Sequence, residues 1–449
     1  MQQPGIHTPS AADIASMFKT SGLKGKLIFT ILMMAVFRFC TQLPLFGINN
    51  QVFANIAAGN NIIGFLDMFT GGALGNVSII ALGIGPYITS SIIIQLLTAV
   101  IPYLEQLQKE EGEAGRRKIS QYTRLFTVVI AFFQSLIFVL FLTRTAPAAI
   151  MPDVNHFMFL TGSVAILTAG SVFVMWLGEL LTEKGIGNGA SMIIFWGIIS
   201  RIPFYFNKTS LIVQNDKSLQ FGLVLLLAIF FATMVLIVIL QEAARKVIIV
   251  NPRRQVGNKV YGGMNSFIPF KLNPGGVMPI IFAIAILLFP TTVLSLLGSS
   301  TFISGPVKDA LTQMSLVFNP SSPTYNAVYF LLIVGLTFFY ASIMPNMQPK
   351  EIADNLKKYG SSIPGIKPGR PTAEALDKIL GRITLIGAVG LGIVALIPSL
   401  AASLTNITTL QGLGATSLII MVGVALDFIN QVKAHLLSKN YESFLKDKQ

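Results

Sequence analysis

The sequence predicts an all-α membrane protein: ten transmembrane helices in two inverted five-helix halves around a central pore, with one segment inserted only part-way. Three observations carry this. Of the 449 residues, 53% are hydrophobic and only 11% are charged, whereas a soluble chain carries roughly 25% charged residues. Ten apolar runs can be counted, at 27–46, 77–100, 122–143, 157–181, 188–206, 219–240, 276–297, 326–344, 383–401 and 412–429. Each is near the length that crosses the hydrocarbon core as a helix. Finally, the polar connections alternate in charge. Those at 1–26, 101–121, 181–187, 241–274, 344–382 and 430–449 include Arg116, Arg117, Lys118, Arg245, Lys246, Lys271 and Lys350, whereas the opposite set keeps only Arg144, Arg201, Lys208, Lys217 and Lys308. Basic loops stay cytoplasmic, so both termini are expected there. Ten crossings divide into five plus five. An odd half reverses direction on repetition, which fits an inverted repeat with its site between the halves.

Taken in order, residues 1–26 are polar and show no signal-peptide pattern. The first run contains Cys40, the only cysteine, which excludes an intramolecular disulfide. It also contains Arg38, expected to lie near the far end of its helix and snorkel. The stretch 65–107 is apolar but broken twice, at Thr70-Gly71-Gly72 and at Gly75-Asn76. Glycine tolerates backbone angles that end a helix. The piece at 62–69 is far shorter than a crossing, and 77–100 is long enough. A half-inserted piece followed by a full crossing is therefore expected, and irregular backbone at membrane depth persists only against protein or a water-filled cavity.

Within the second run, Ile80, Ile84 and Ile88 recur every four residues, which places them on one helical face. Such a face either packs against neighbours through the adjacent Gly83, Gly85 and Pro86 or forms a dry constriction in a pore. Thr89, Ser90, Ser91 and Gln95 add a polar stripe that either glues helices or lines an opening. The acids Asp67, Glu179 and Asp427 lie near helix ends or in the broken segment. No mid-helix acid–His or acid–Arg pair is seen of the kind a proton-coupled transporter needs.

Two basic connections are long enough to imply function. Residues 241–274 mix β-branched residues with Arg and Lys, and turn signals at Asn251-Pro252 and Gly262-Gly263 suggest a β-hairpin. In 344–382, Pro364-Gly365 and Pro368-Gly369 mark turns between two short helical pieces. Arg253, Arg254, Lys259, Lys357, Lys358 and Lys367 lie away from the membrane ends of these loops, which favours docking over ordinary orienting charge. His7, His156 and His435 have no metal-ligand spacing, and no catalytic set or nucleotide cradle is present, since Gly185, Gly187 and Gly189 follow no strand. No enzyme activity, metal or cofactor is expected. Three functions compete: a protein-conducting channel, a small-solute transporter with midplane ionisable groups, and a structural scaffold with no use for a broken segment.

Six motifs narrow the choice: GGALGNVSIIALGIGPYITSSIIIQLL (71–97), TEKGIGNGASMIIF (182–195), RRQVGNKVYGG (253–263), KLNPGGVMPIIFA (271–283), ADNLKKYGSSIPGIKPGRPT (353–372) and GATSLIIMVGVALDF (414–428). In this order they resemble the SecY family, the protein-conducting channels of the Sec system, of bacterial or plastid type. The resemblance implies the central channel subunit of the Sec translocase, a passive conduit that also releases apolar segments sideways into lipid. It implies a plug over 61–76, carried by Ile62, Ile63, Phe65, Leu66, Asp67, Phe69, Gly71 and Gly72. It implies a pore ring of Ile84, Ile88, Ala190, Ile194, Ile281 and Ile420. Ala190 departs from the bulky aliphatic residue the family often shows. Thr89, Gln95 and Phe289 would border a lateral gate. Arg253, Arg254, Lys259, Lys357, Lys358, Lys367 and Arg370 would dock a ribosome or the SecA motor, with Lys367 standing where the family usually has Arg. SecE-like and SecG-like small membrane subunits are implied partners, and a bacterial plasma membrane or plastid thylakoid membrane the location. The expected organisation is a cytoplasmic segment (1–26), a first half with the plug (27–206), an external loop and sixth helix (207–240), a docking loop (241–274), two helices (275–344), a second docking loop (345–382), two helices (383–429) and a cytoplasmic tail (430–449).

Overall fold

The structure is a computed structural model that describes residues 23–50, 52–53, 67, 70–109, 112–152, 155–215, 220–251, 253–256, 259–262, 265–287, 313, 322–343, 348–405 and 415–446. A helix lies on each of the ten apolar runs. These are α1 (Leu23–Cys40), α2 (Gly85–Val100), α4 (Gly112–Thr145), α5 (His156–Lys184), α6 (Gly189–Asn215), α7 (Gln220–Glu242), α8 (Met278–Leu287), α9 (Pro323–Ile343), α11 (Arg370–Thr405) and α12 (Ala415–Lys446). Two short helices, α3 (Pro102–Lys109) and α10 (Pro349–Lys358), lie in the connections. Seven of the described helices are long and apolar enough to cross a membrane by length and composition, and α2 and α8 are shorter apolar helices.

The second run differs from expectation. Residues 70–84 form consecutive turns, and the helix starts only at Gly85. Gly71, Gly72 and Gly83 have φ of 67°, 95° and 55°, the left-handed region that side chains with a Cβ disfavour. The 16-residue helix α2 rises about 24 Å, short of the roughly 30 Å hydrocarbon core. Ile80 is thus off the helical face expected for it, whereas Ile84 and Ile88 share an i→i+4 backbone bond of 3.1 Å. The turns are satisfied inside the protein, as irregular backbone in a membrane must be. Val77 O accepts from Leu45 N at 2.8 Å, and Ile79 N donates to Leu43 O at 3.0 Å.

The chain forms two compact units. One comprises Met1–Ser91, Ser120–Ile202 and Val424–Gln449, the other Ile92–Ile119 and Pro203–Gly423. In the first, Leu45, Phe53, Leu74, Val77, Val139, Leu142, Phe159 and Leu167 form a buried apolar cluster. Between membrane helices small residues permit close backbone approach, because lipid supplies no hydrophobic drive to associate. Gly170 of α5 lies against the Ile79 carbonyl, and Gly189 against that of Gly178. In the second unit, Gly387 of α11 sits on the Leu272 carbonyl and Gly392 leaves room for Phe330. Asn326 Nδ2 donates to Ser399 Oγ at 3.0 Å, tying α9 to α11.

The first long loop is the expected hairpin, in two antiparallel ladders. β1 (Ala244–Val250) pairs with β4 (Asn265–Lys271), and β2 (Arg253–Val256) with β3 (Lys259–Gly262). The tip lies between Val256 and Lys259. The Asn251-Pro252 and Gly262-Gly263 signals therefore mark the break between ladders, because Pro cannot donate to a ladder. A lone two-stranded sheet is marginal. Here Val247 and Phe270 pack with Ile363, Leu376 and Ile383, and Val250 and Ser362 exchange backbone bonds of 2.9 and 3.1 Å. In the second loop the first expected short helix is α10. The other continues unbroken into the ninth membrane run as the 36-residue α11, because Pro371 falls in its first turn, where a missing N–H breaks no helical bond, and an isolated Gly381 is tolerated.

The close approach at Gly170 is testable. Gly170→Ala puts a Cβ onto backbone that has nowhere to go, and the expected cost is about 1–3 kcal/mol, read as a lower Tm in detergent. Gly162→Ala on the same helix meets no atom within 4 Å and should be neutral or stabilising by up to about 1 kcal/mol. Equal Tm values for the two variants would refute close packing at Gly170.

Candidate functional site

Charge gathers beside the turns at 70–84, where charge is expensive. Asp67, just ahead of them, pairs through its carboxylate with the Arg201 guanidinium of α6. The two side chains are only 11% and 16% exposed. Asp67 Oδ1 also accepts from Gly75 N at 2.5 Å, and its carbonyl accepts from Gly72 N at 2.9 Å and Thr70 Oγ1 at 3.1 Å. Thr70 Oγ1 in turn accepts from Leu74 N at 3.2 Å. Arg38, in the last turn of α1, donates from Nη1 to Gly71 O at 2.6 Å and to Ser200 Oγ at 3.3 Å. Hydrogen bonds to charged groups are stronger than neutral ones, more so in a low-dielectric site. A glycine turn is thus clamped between the last turn of α1 and the middle of α6, by two cations around one carboxylate.

The glycines are there for space as well as for backbone angle. A Cβ on Gly71 would lie 2.8 Å from Gly197 Cα, one on Gly72 2.7 Å from Arg201 Nη2, and one on Gly75 3.0 Å from the Asp67 carboxylate. Arg38, expected to snorkel, instead turns inward, since a backbone carbonyl and a hydroxyl are within its reach. An acid–Arg pair, not expected from sequence, is present. The signal was available: Asp67 and Arg201 are costly charges of opposite sign in otherwise apolar segments, but they are 134 residues apart.

Of the ring residues in the first unit, Ile84 and Ala190 lie near Gly178 of α5. A Cβ there would lie 3.2 Å from Ile84 Cδ1, 3.5 Å from Ile193 Cδ1 and 3.7 Å from Ala190 N. Ile84 and Ile194 are buried, and Ile88 and Ala190 are half-buried. Ile281 of α8 and Ile420 of α12 are buried in the second unit. Thr89 returns its hydroxyl to Gly85 O at 3.1 Å. Ser90 acts as glue, donating to Thr123 O of α4 at 2.8 Å. Gln95 is half-buried. Ile62, Ile63, Phe65, Leu66, Phe69 and Phe289 lie outside the described residues.

Arg253 and Arg254 are on β2 and Lys259 on β3. Lys357 and Lys358 are exposed in the last turn of α10, where cations also favour the helix dipole. Lys367 is exposed in the turn before α11, and its carbonyl accepts from Thr372 Oγ1 at 2.8 Å. Arg370 is exposed and bonds Glu374 at 3.1 Å. Among the described residues no group of three His, Cys, Asp or Glu could hold a metal.

Known proteins resemble this chain in sequence and in fold. The sequence model of the SecY family matches residues 78–429. The protein translocase subunit SecY of Synechococcus elongatus is 44% identical over 449 residues, covering 98% of both chains. Two solved structures align over 93% of both chains at 17% identity. One, with a TM-score of 0.65, is a SecY whose plug domain is described as stabilizing the closed state of the translocation channel and maintaining a membrane seal. The other, with a TM-score of 0.62, is Sec61 in a canine ribosome–channel complex from the endoplasmic reticulum.

Two ion pairs of the first unit, Asp67–Arg201 and Arg124–Glu179, should differ in what their surroundings tolerate. Gly72→Ala forces a Cβ into the Arg201 guanidinium at a backbone angle alanine resists, and should cost about 1–3 kcal/mol. Glu179→Gln removes the more exposed partner set of Arg124 and Glu179, joined at 2.7 Å, and should cost under about 1 kcal/mol. Thermal unfolding of both variants in one detergent gives the comparison; a larger loss for Glu179→Gln would contradict it.

Proposed function

The chain belongs to the SecY family, and from that premise we propose that it is the central channel subunit of a Sec protein translocase. It threads unfolded secretory polypeptides across the membrane and releases transmembrane segments sideways into lipid. The observation that carries the reading is the run of turns at 70–84, inside an otherwise helical membrane protein that matches the family over nearly its whole length. A transporter would place ionisable groups where substrate binds. Here the buried charges are spent on one another at the base of the turns.

In this reading residues 61–76 are the plug, and Ile84, Ile88, Ala190, Ile194, Ile281 and Ile420 form the ring. A narrow ring of apolar side chains excludes hydrated ions by dewetting. With Ala at 190, the neighbouring Ile193 and Ile194 supply bulk on that helix. Thr89, Gln95 and Phe289 border the lateral gate. The chain itself binds no nucleotide and catalyses no reaction. Its driving force comes from a ribosome or a SecA-type motor at the two basic loops, with SecE-like and SecG-like subunits beside it. It is a multi-pass membrane protein, and the loop charges support cytoplasmic or stromal termini in a bacterial plasma membrane or a plastid thylakoid.

Two measurements test this. Ile88→Asn combined with deletion of 61–69 should raise ion conductance in planar bilayers severalfold or more, because an amide supports water in a constriction; unchanged conductance argues against a pore at Ile88. Arg253→Glu with Arg254→Glu should weaken ribosome cosedimentation and flatten its salt dependence, since contacts to RNA phosphate release counterions. Protease protection should report the same topology. Normal binding with an altered topology would mean that these charges only orient the helices.

A further inference from the structure

The bonds around Asp67 divide into two kinds. Those to Thr70, Gly72 and Gly75 lie within the turn. With the Thr70–Leu74 bond, they join Asp67 and 70–75 into a unit that can move without losing its own hydrogen bonds. The rest join that unit to helices: Asp67 to Arg201 of α6, and Gly71 O to Arg38 of α1. Further along, Val77 and Ile79 bond to residues 43–45, which leaves an anchored end about which the unit can swing.

We infer that the Asp67–Arg201 ion pair, with the Arg38–Gly71 bond beside it, is a latch that fixes the base of the plug to α6 and opens when the plug leaves. The inference rests on the plug reading above. Separating a buried pair is costly because each charge is left uncompensated in a poor solvent, so the latch opens only as the segment moves to water. Departure also removes the carboxylate from between two guanidinium groups, since Arg38 reaches Ser200, the neighbour of Arg201. The like charges left behind repel each other and attract the returning carboxylate, so the same three residues favour closing. Arg201 and Arg38 are thus positioning residues for the plug.

The test uses the full chain with its membrane partners in proteoliposomes, with Cys40→Ser and a reporter thiol from Ala73→Cys. Ala73 is 0% exposed, so maleimide labels it only when the turn opens. Asp67→Asn and Arg201→Gln should each speed labelling at least about tenfold, and the double variant should match either single within about twofold, as for two partners of one interaction. Arg201→Lys keeps the charge but loses the planar fork; it should speed labelling a few-fold, and it carries the test alone if the neutral variants fail to fold. An unchanged rate in Arg201→Gln or Arg201→Lys, or multiplying effects in the double variant, overturns the latch. Bilayer conductance of the same variants separates this from the channel reading. Faster labelling with unchanged conductance upholds the latch and removes the plug from the pore. Unchanged labelling in a chain that still translocates removes the latch and leaves the channel.

Discussion

A peptide group at membrane depth has no water to bond to, and the first unit is arranged around a place where, among the described residues, its helices do not meet that demand. From 70 to 84 the backbone turns repeatedly. Each turn exposes donors and acceptors that a helix would have paired. They are met by Arg38, by the Asp67 carboxylate, by the backbone at 43–45 and by bonds within the turns. Charged groups are suited to this task because a bond to a charge is stronger than a neutral one. Their own burial is tolerable because Arg201 and Asp67 neutralise each other.

The same constraint explains the glycines. Close backbone contact is a main source of helix association in lipid, and it is used at Gly170, Gly189 and Gly387, each against a carbonyl. Gly71 and Gly72 serve two ends at once, a positive φ and the space for Gly197 and Arg201. Outside the membrane the rules are those of soluble proteins. The hairpin rises on its β1–β4 ladder, held by Val247 and Phe270 against α11, and this carries Arg253, Arg254 and Lys259 beyond the base of the loop. The continuity of α11 from Arg370 into the membrane means that the second basic loop is braced by a membrane helix.

Much was legible in order along the chain, because it depends on neighbours in sequence. Apolar length gives the helices, and Pro and Gly give the breaks. The hairpin followed from β-branched residues between turn signals, though its register did not, since ladder register depends on which strands pair. The helix expected over the whole of 77–100 begins only at Gly85 for a similar reason. Hydropathy cannot tell an apolar helix from an apolar turn that finds its hydrogen-bond partners elsewhere, and Ile80 was assigned a helical face on that account.

The sequence by itself determined a ten-helix membrane protein of the SecY family, with a broken segment near its start and two basic loops, because composition and period are local properties that lipid reads directly. Only the tertiary structure decided what Arg38, Asp67 and Arg201 do. Read singly, Arg38 was a snorkelling cation, Asp67 one acid near a break and Arg201 one charge in an external set. A buried charge is defined by what stands opposite it, and residues 134 positions apart are brought together only by the packing of α1 and α6 around the glycine turn.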